Sequence, residues 1–186
     1  MSLQRIIRRV FPREESFYGL LEGLAALTRS SVAEFRRLGA GGTTPDSVAE
    51  AVQRVEHAGD KAFHEVEAGL HLVERTCALF QITEFTPPMV ALLETLERST
   101  QVLADTVPRL RKHDYAGIIA AGRVLRGLEK DADVVFRNTL SALFQDPGID
   151  AKQLLKGKEV IEHIEDAVDR CDRIGNTLSN LAVKHG

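Results

Sequence analysis

Apolar residues recur three and four positions apart along most of this chain, and clear stop signals divide them into long helical stretches. From about Glu14 to Leu38, Phe17, Leu20, Leu21, Leu24, Leu27, Val32 and Phe35 form one stripe, which Gly39-Ala-Gly-Gly-Thr-Thr interrupts. Thr44 before Pro45 reads as an N-cap with proline in the first turn. It opens a helix through Val48, Val52, Val55, Ala62, Val66 and Leu70 that continues to Ile82. Thr86-Pro87-Pro88 repeats this opening for a helix through Leu92, Leu93, Leu96, Val102, Leu103, Val107 and Leu110, with Pro108 expected to bend or fray its end. Asp114 caps a long helix through Ile118, Ile119, Val124, Leu125, Leu128, Val135, Phe136, Leu140 and Leu143. Gln145-Asp-Pro-Gly148 is a turn, and Asp150 caps a last helix from about Ala151 to Val183. No run of strand length alternates apolar and polar residues, so the expected fold is all-α.

Acidic residues border the apolar stripes in a repeated way. In the last helix Glu165, Asp169 and Asp172 stand at i, i+4 and i+7, which places three carboxylates on one flank beside Ile161, Ile164, Val168 and Cys171. The pair Glu-x-x-x-Asp occurs as Glu56 with Asp60 and again as Glu129 with Asp133, and each is followed three residues on by a phenylalanine, Phe63 or Phe136. The spacing divides a single domain, 1–186, into pseudo-repeat halves of about 14–112 and 114–184. A fourth acidic pair is missing, because Arg98 stands at the Asp position of Glu94-Thr-Leu-Glu-Arg98.

Composition narrows the partners. A net charge of -3 argues against nucleic acid, whose phosphates call for a clustered surplus of Lys and Arg. Cys77 and Cys171 lie far apart with no Cys-x-x-Cys, which suggests a reduced, cytoplasmic setting. No apolar run approaches the roughly 20 residues of a spanning helix. The segment Met1 to Arg13, with Arg5, Arg8, Arg9 and Arg13 around apolar residues, reads as a docked terminal segment in preference to a membrane-surface arm.

The carboxylates have two readings. Hard cations such as Mg, Mn or Fe suit an oxygen-rich site better than zinc does. Against this, a carboxylate beside a core stripe commonly reaches solvent or pairs with a neighbouring base, and Lys61, Lys130, Arg170 and Arg173 lie within one turn. His57, His64 and His71 stand at i, i+7 spacing, too long for chelation along one helix, and are expected to face solvent. Enzyme readings lack their signatures. A ferritin-like di-iron bundle needs Glu-x-x-His, and no histidine here has Glu three residues before it. An all-α pyrophosphohydrolase would follow Glu159-x-x-Glu162 with an acidic motif on a further helix. Gly39-Ala-Gly-Gly-Thr-Thr lacks the lysine of a phosphate-binding loop, and no residue stands out as a nucleophile. The chain is therefore read as a non-enzyme, with a purely structural helical scaffold as the competing reading. Long amphipathic helices with a second apolar flank point to a homodimer.

Phe11-Pro-Arg-Glu-Glu-Ser-Phe17-Tyr18, Val55-Glu-His-Ala-Gly-Asp60, Leu128-Glu129-x-x-x-Asp133, and Lys156-Gly-Lys-Glu159 with Glu165-Asp-Ala-Val-Asp169-Arg-Cys-Asp172 together resemble the PhoU-like proteins encoded beside Pit-type phosphate permeases. The resemblance covers nearly the whole chain. It implies two three-helix halves packed as an antiparallel bundle, and a cytoplasmic accessory or regulatory role in phosphate transport, peripheral to the membrane through the permease. It also implies a divalent or iron-type metal ion at Glu56, Asp60, Glu129, Asp133, Glu165 and Asp169. One departure concerns the first half: between Leu70-His71 and Leu72 there is no counterpart of the Phe-Ile-Thr-Pro loop and second acidic motif that similar proteins place there.

Overall fold

The computed structural model describes residues 13–39, 64–82 and 84–185. Among them are five helices and no strand: α1 (Arg13–Gly39), α2 (His64–Phe80), α3 (Pro87–Arg111), α4 (Tyr115–Gln145) and α5 (Ala151–His185). The fold is an all-α bundle. The helix expected to open at Thr44 lies, up to its His64 portion, outside the described residues, as do the docked segment through Pro12 and the acidic pair Glu56 and Asp60.

Local chemistry sets most of the boundaries. Asp114 caps α4, its Oδ1 accepting from the Gly117 amide at 3.0 Å. That bond, with Arg109 next to it, holds the Asp114 carboxyl below its ordinary pKa. Asp150 opens α5 with a reciprocal pair: its Oδ1 accepts from the Gln153 amide at 2.8 Å, and Gln153 Oε1 accepts from the Asp150 amide at 3.3 Å. In the turn between α4 and α5, Asp146 Oδ1 accepts from the Gly148 amide at 2.8 Å. Thr86 stands at the N-cap of α3, yet its side chain makes no capping bond. Pro87 and Pro88 have no N–H to offer, so the cap position is there without most of its usual acceptor role.

One helix end departs from the sequence reading. α2 stops at Phe80, short of Ile82, because Gln81 turns into the left-handed region with φ 54°. The Gln81 amide then donates to the Ala78 carbonyl at 3.2 Å and the Ile82 amide to the Cys77 carbonyl at 2.9 Å, a Schellman closure. α3 ends the same way around His113 at φ 55°, with His113 donating to Leu110 at 3.1 Å and Asp114 to Arg109 at 3.0 Å. Neither closure uses the glycine that would have marked it in the sequence. Pro108 lies inside α3, which runs on to Arg111.

α5 is the central element. It packs against α4, α2 and α3, while α1 lies chiefly along α3. The core joins Val32 and Phe35 of α1, Val66, Leu70 and Val73 of α2, and Leu92, Leu93, Leu96 and Leu103 of α3. Ile118 and Leu125 of α4 and Ile161, Ile164 and Val168 of α5 complete it. Burying one such aliphatic side chain stabilises the fold by about 1.5–3 kcal/mol, which is why the stripes read from sequence became contacts. The connections at 112–114 and 146–150 are short, so α3, α4 and α5 run antiparallel to their chain neighbours. The 114–184 half forms two helices, where the resemblance implies three, and α2 packs across the proposed boundary onto α5.

α4 and α5 approach closely at two glycines. A Cβ on Gly122 would lie 2.2 Å from Ser179 Oγ and 3.3 Å from the Gly175 carbonyl, and one on Gly175 would lie 2.4 Å from Leu125 Cδ1. α2 is tied to α5 by a bond of 2.8 Å between Thr76 Oγ1 and His163 Nδ1, and by Lys156 Nζ donating to the Phe80 carbonyl at 2.8 Å. The lysine thereby satisfies a carbonyl that the end of α2 leaves open. No helix among the described residues is long and apolar enough to cross a membrane.

Candidate functional site

The close, antiparallel approach of α4 and α5 fixes what lies along their common edge. Ile161, Ile164, Val168 and Cys171 are at most 1% exposed and face the core, so the flank beside them is turned toward α4. On that flank Glu165, Asp169 and Asp172 come opposite Glu129 and Asp133 of α4. The carboxylates are near enough for Asp133 and Glu129 both to act on Glu165, and for Asp169 and Asp172 both to act on Glu129. Two of the three acidic motifs seen in the sequence therefore converge. Glu56 and Asp60, the third, lie outside the described residues.

Like charges brought together in partial burial raise one another's pKa. The Glu165 carboxyl is pushed up to about 7, first by burial and then by Asp166, Asp169, Asp133 and Glu129. Glu129 is also raised, by burial and by Asp172, Asp169 and Asp133, with Arg126 opposing. The three aspartates are compensated. Arg137 Nη2 forms an ion pair with Asp133 Oδ2 at 2.8 Å, and Arg173 pairs with Asp169 one turn away. Asp172, only 7% exposed, accepts from the Asn176 side-chain amide at 2.8 Å and faces Arg126 of α4, whose Nε and Nη2 each lie 3.5 Å from it. Arg126 Nη2 donates in addition to Asn176 Oδ1 at 2.9 Å. Glu129 and Glu165 have no ion pair among the described residues.

The structure brings Glu129, Asp133, Glu165 and Asp169 to one edge, and of the neighbouring bases considered from the sequence, Lys61, Lys130, Arg170 and Arg173, it pairs Arg173 with Asp169. The sequence reading missed Arg126, Arg137 and Asn176. Arg137 had a local signal, the i, i+4 spacing from Asp133. Arg126 had none, since its partner is 46 residues away on another helix. Asp172 was read as one more member of the flank, and the structure makes it the most buried acid of the group. His71, expected to face solvent with His57 and His64, is half-buried and has a partner. His57 is outside the described residues. His163, which the sequence did not single out, joins α5 to α2.

The fit of a metal ion can be tested on the donors themselves. No group of three or more His, Cys, Asp or Glu side chains among the described residues is placed to hold one. The aspartates that would contribute have guanidinium groups on them, and the two free glutamates come from opposite helices. Both cysteines are buried, and burial pushes the Cys77 thiol up to about 12 and raises Cys171 as well, so neither is a ready thiolate ligand.

No family model matches the chain. Its sequence is similar to a protein of Rhizobium meliloti (strain 1021) named "Putative pit accessory protein", with 20% identity over 210 residues that take in 97% of this chain and 98% of the relative. That span exceeds the 186 residues of this chain, so the relative carries residues that have no counterpart here. In the structure, α2 passes through His71 and Leu72 without interruption.

Proposed function

We propose that this chain is a non-catalytic accessory protein of inorganic phosphate transport, acting beside a Pit-type permease at the cytoplasmic face of the membrane. The end-to-end similarity to the Rhizobium meliloti protein carries the reading: it spans almost all of both chains, as a shared architecture does and a shared local motif does not. The sequence motifs that resemble PhoU-like proteins point the same way. The all-α bundle is consistent with a protein that docks on a transporter.

The reading is tested in the organism that encodes the chain. Phosphate uptake, measured from micromolar to millimolar phosphate, should change when the gene is deleted and return when it is restored, and the tagged chain should co-purify with the permease from solubilised membranes. Uptake that stays the same across that range, together with no co-purification, would refute it.

A further inference from the structure

The metal ion implied by the repeated Glu/Asp-x-x-x-Asp motifs does not fit the α4–α5 edge, and the reason lies in its basic side chains. We propose that in this chain Arg126, Arg137 and Arg173 take the place of a cation, neutralising the acidic edge from within. Each aspartate of the edge faces a guanidinium: Asp133 faces Arg137 at 2.8 Å, Asp169 faces Arg173, and Asp172 faces Arg126 across the helix pair at 3.5 Å. A carboxylate oxygen paired with a guanidinium has a lone pair engaged by it, and a hard cation, which takes about six or more oxygens, would have to compete with an arginine at each aspartate. Glu129 and Glu165 alone remain, one on each helix. Arg126 is the element that makes the arrangement more than three local pairs. It reaches from α4 to both Asp172 and Asn176 of α5, so it fixes the two helices to each other as a bridging ion would. This inference concerns the edge alone and stands or falls separately from the transport role.

The test uses the full chain, stripped with a chelator, and reads thermal unfolding with and without Mg, Mn or Fe(II). A ligand that binds the folded state raises the unfolding temperature by mass action. The wild-type protein should show no metal-dependent shift. The variant R126M/R137M/R173M should unfold at a lower temperature and gain an upward shift with metal that chelation reverses, and adding E129Q/D169N should remove that gain. R126M alone, read in the same way, covers the case in which the triple variant fails to give a helical circular dichroism spectrum. A wild-type shift abolished by E129Q/D169N would overturn the proposal, because a cation would then already occupy the edge. A folded arginine variant that gains no metal response would overturn it as well, since the arginines would not be what keeps a cation out.

Discussion

Two helix pairs in this bundle handle charge in opposite ways. Between α1 and α3 the charges attract across the interface: Arg36 of α1 reaches Glu94 at 3.0 Å and also pairs with Glu97, Arg29 donates to Gln101 at 3.0 Å, and Arg111 of α3 lies 3.4 Å from Glu22. Between α4 and α5 like charges face each other, and two of the three arginines pair along their own helix, Arg137 with Asp133 and Arg173 with Asp169. Only Arg126 crosses. The polar residues differ too. α1 and α3 bury hydroxyls, Thr28 and Ser31 on one and Ser99, Thr100 and Thr106 on the other, and the three on α3 donate back to carbonyls of their own helix. An interface whose charges already match asks for no further explanation than stability. At the α4–α5 edge the aspartates are paired, and the repulsion left at Glu129 and Glu165 is offset by the apolar burial beneath them and the close glycine contact.

The contrast can be broken hardest from below. Ile164→Ala removes an unexposed side chain directly under the acidic edge and should cost about 2–5 kcal/mol of folding free energy, read from the denaturant midpoint. Gly122→Val drives a β-branched side chain into Ser179 and the Gly175 backbone, forcing α4 away from α5, and should cost about 1–3 kcal/mol in the same measurement.

Smaller changes sharpen the comparison by their sign. The Thr28 hydroxyl is buried and has no hydrogen-bond partner among the described residues, so Thr28→Val should stabilise the protein by about 1 kcal/mol, seen as a higher unfolding temperature. Glu165 binds its proton more tightly in the folded protein, with a pKa of about 7 against an ordinary 4.5. Its contribution is therefore fully present below about pH 4.5 and is lost as the pH rises through 7. Glu165→Gln should leave stability at pH 4 unchanged and raise it at pH 8 by on the order of 1 kcal/mol, after discounting for solvent screening of a half-exposed group. The fall in unfolding temperature between pH 5 and pH 8 should flatten accordingly. Glu97→Gln, on the attractive interface, should have the opposite sign and cost about 0.5 kcal/mol at pH 8. Stabilisation at position 97 and destabilisation at position 165 would invert the comparison.

How the sequence related to the structure depends on how local each feature is. Asp114 and Asp150 were legible as caps because a carboxylate meets the amide three residues on, whatever the rest of the chain does. The stripe Ile161, Ile164, Val168, Cys171 was legible because helical periodicity and the hydrophobic effect act along one element, and they also dictate that Glu165 and Asp169 sit at its edge. From one element alone, nothing could tell whether that edge would meet water, lysines or more carboxylates. The structure decided this by bringing α4 antiparallel to α5 in the register set by Gly122 and Gly175, which puts Glu129 and Asp133 opposite Glu165, Asp169 and Asp172 and delivers Arg126 to Asp172. It also decided where α2 and α3 stop, at Gln81 and His113, residues whose left-handed turns are paid for by the chain that follows them. Periodicity along a helix is a property of the chain, but the charge across from it belongs to whichever helix packs there. A carboxylate with a pKa of about 7 therefore arises from tertiary contact, through partial loss of water and the nearness of other acids.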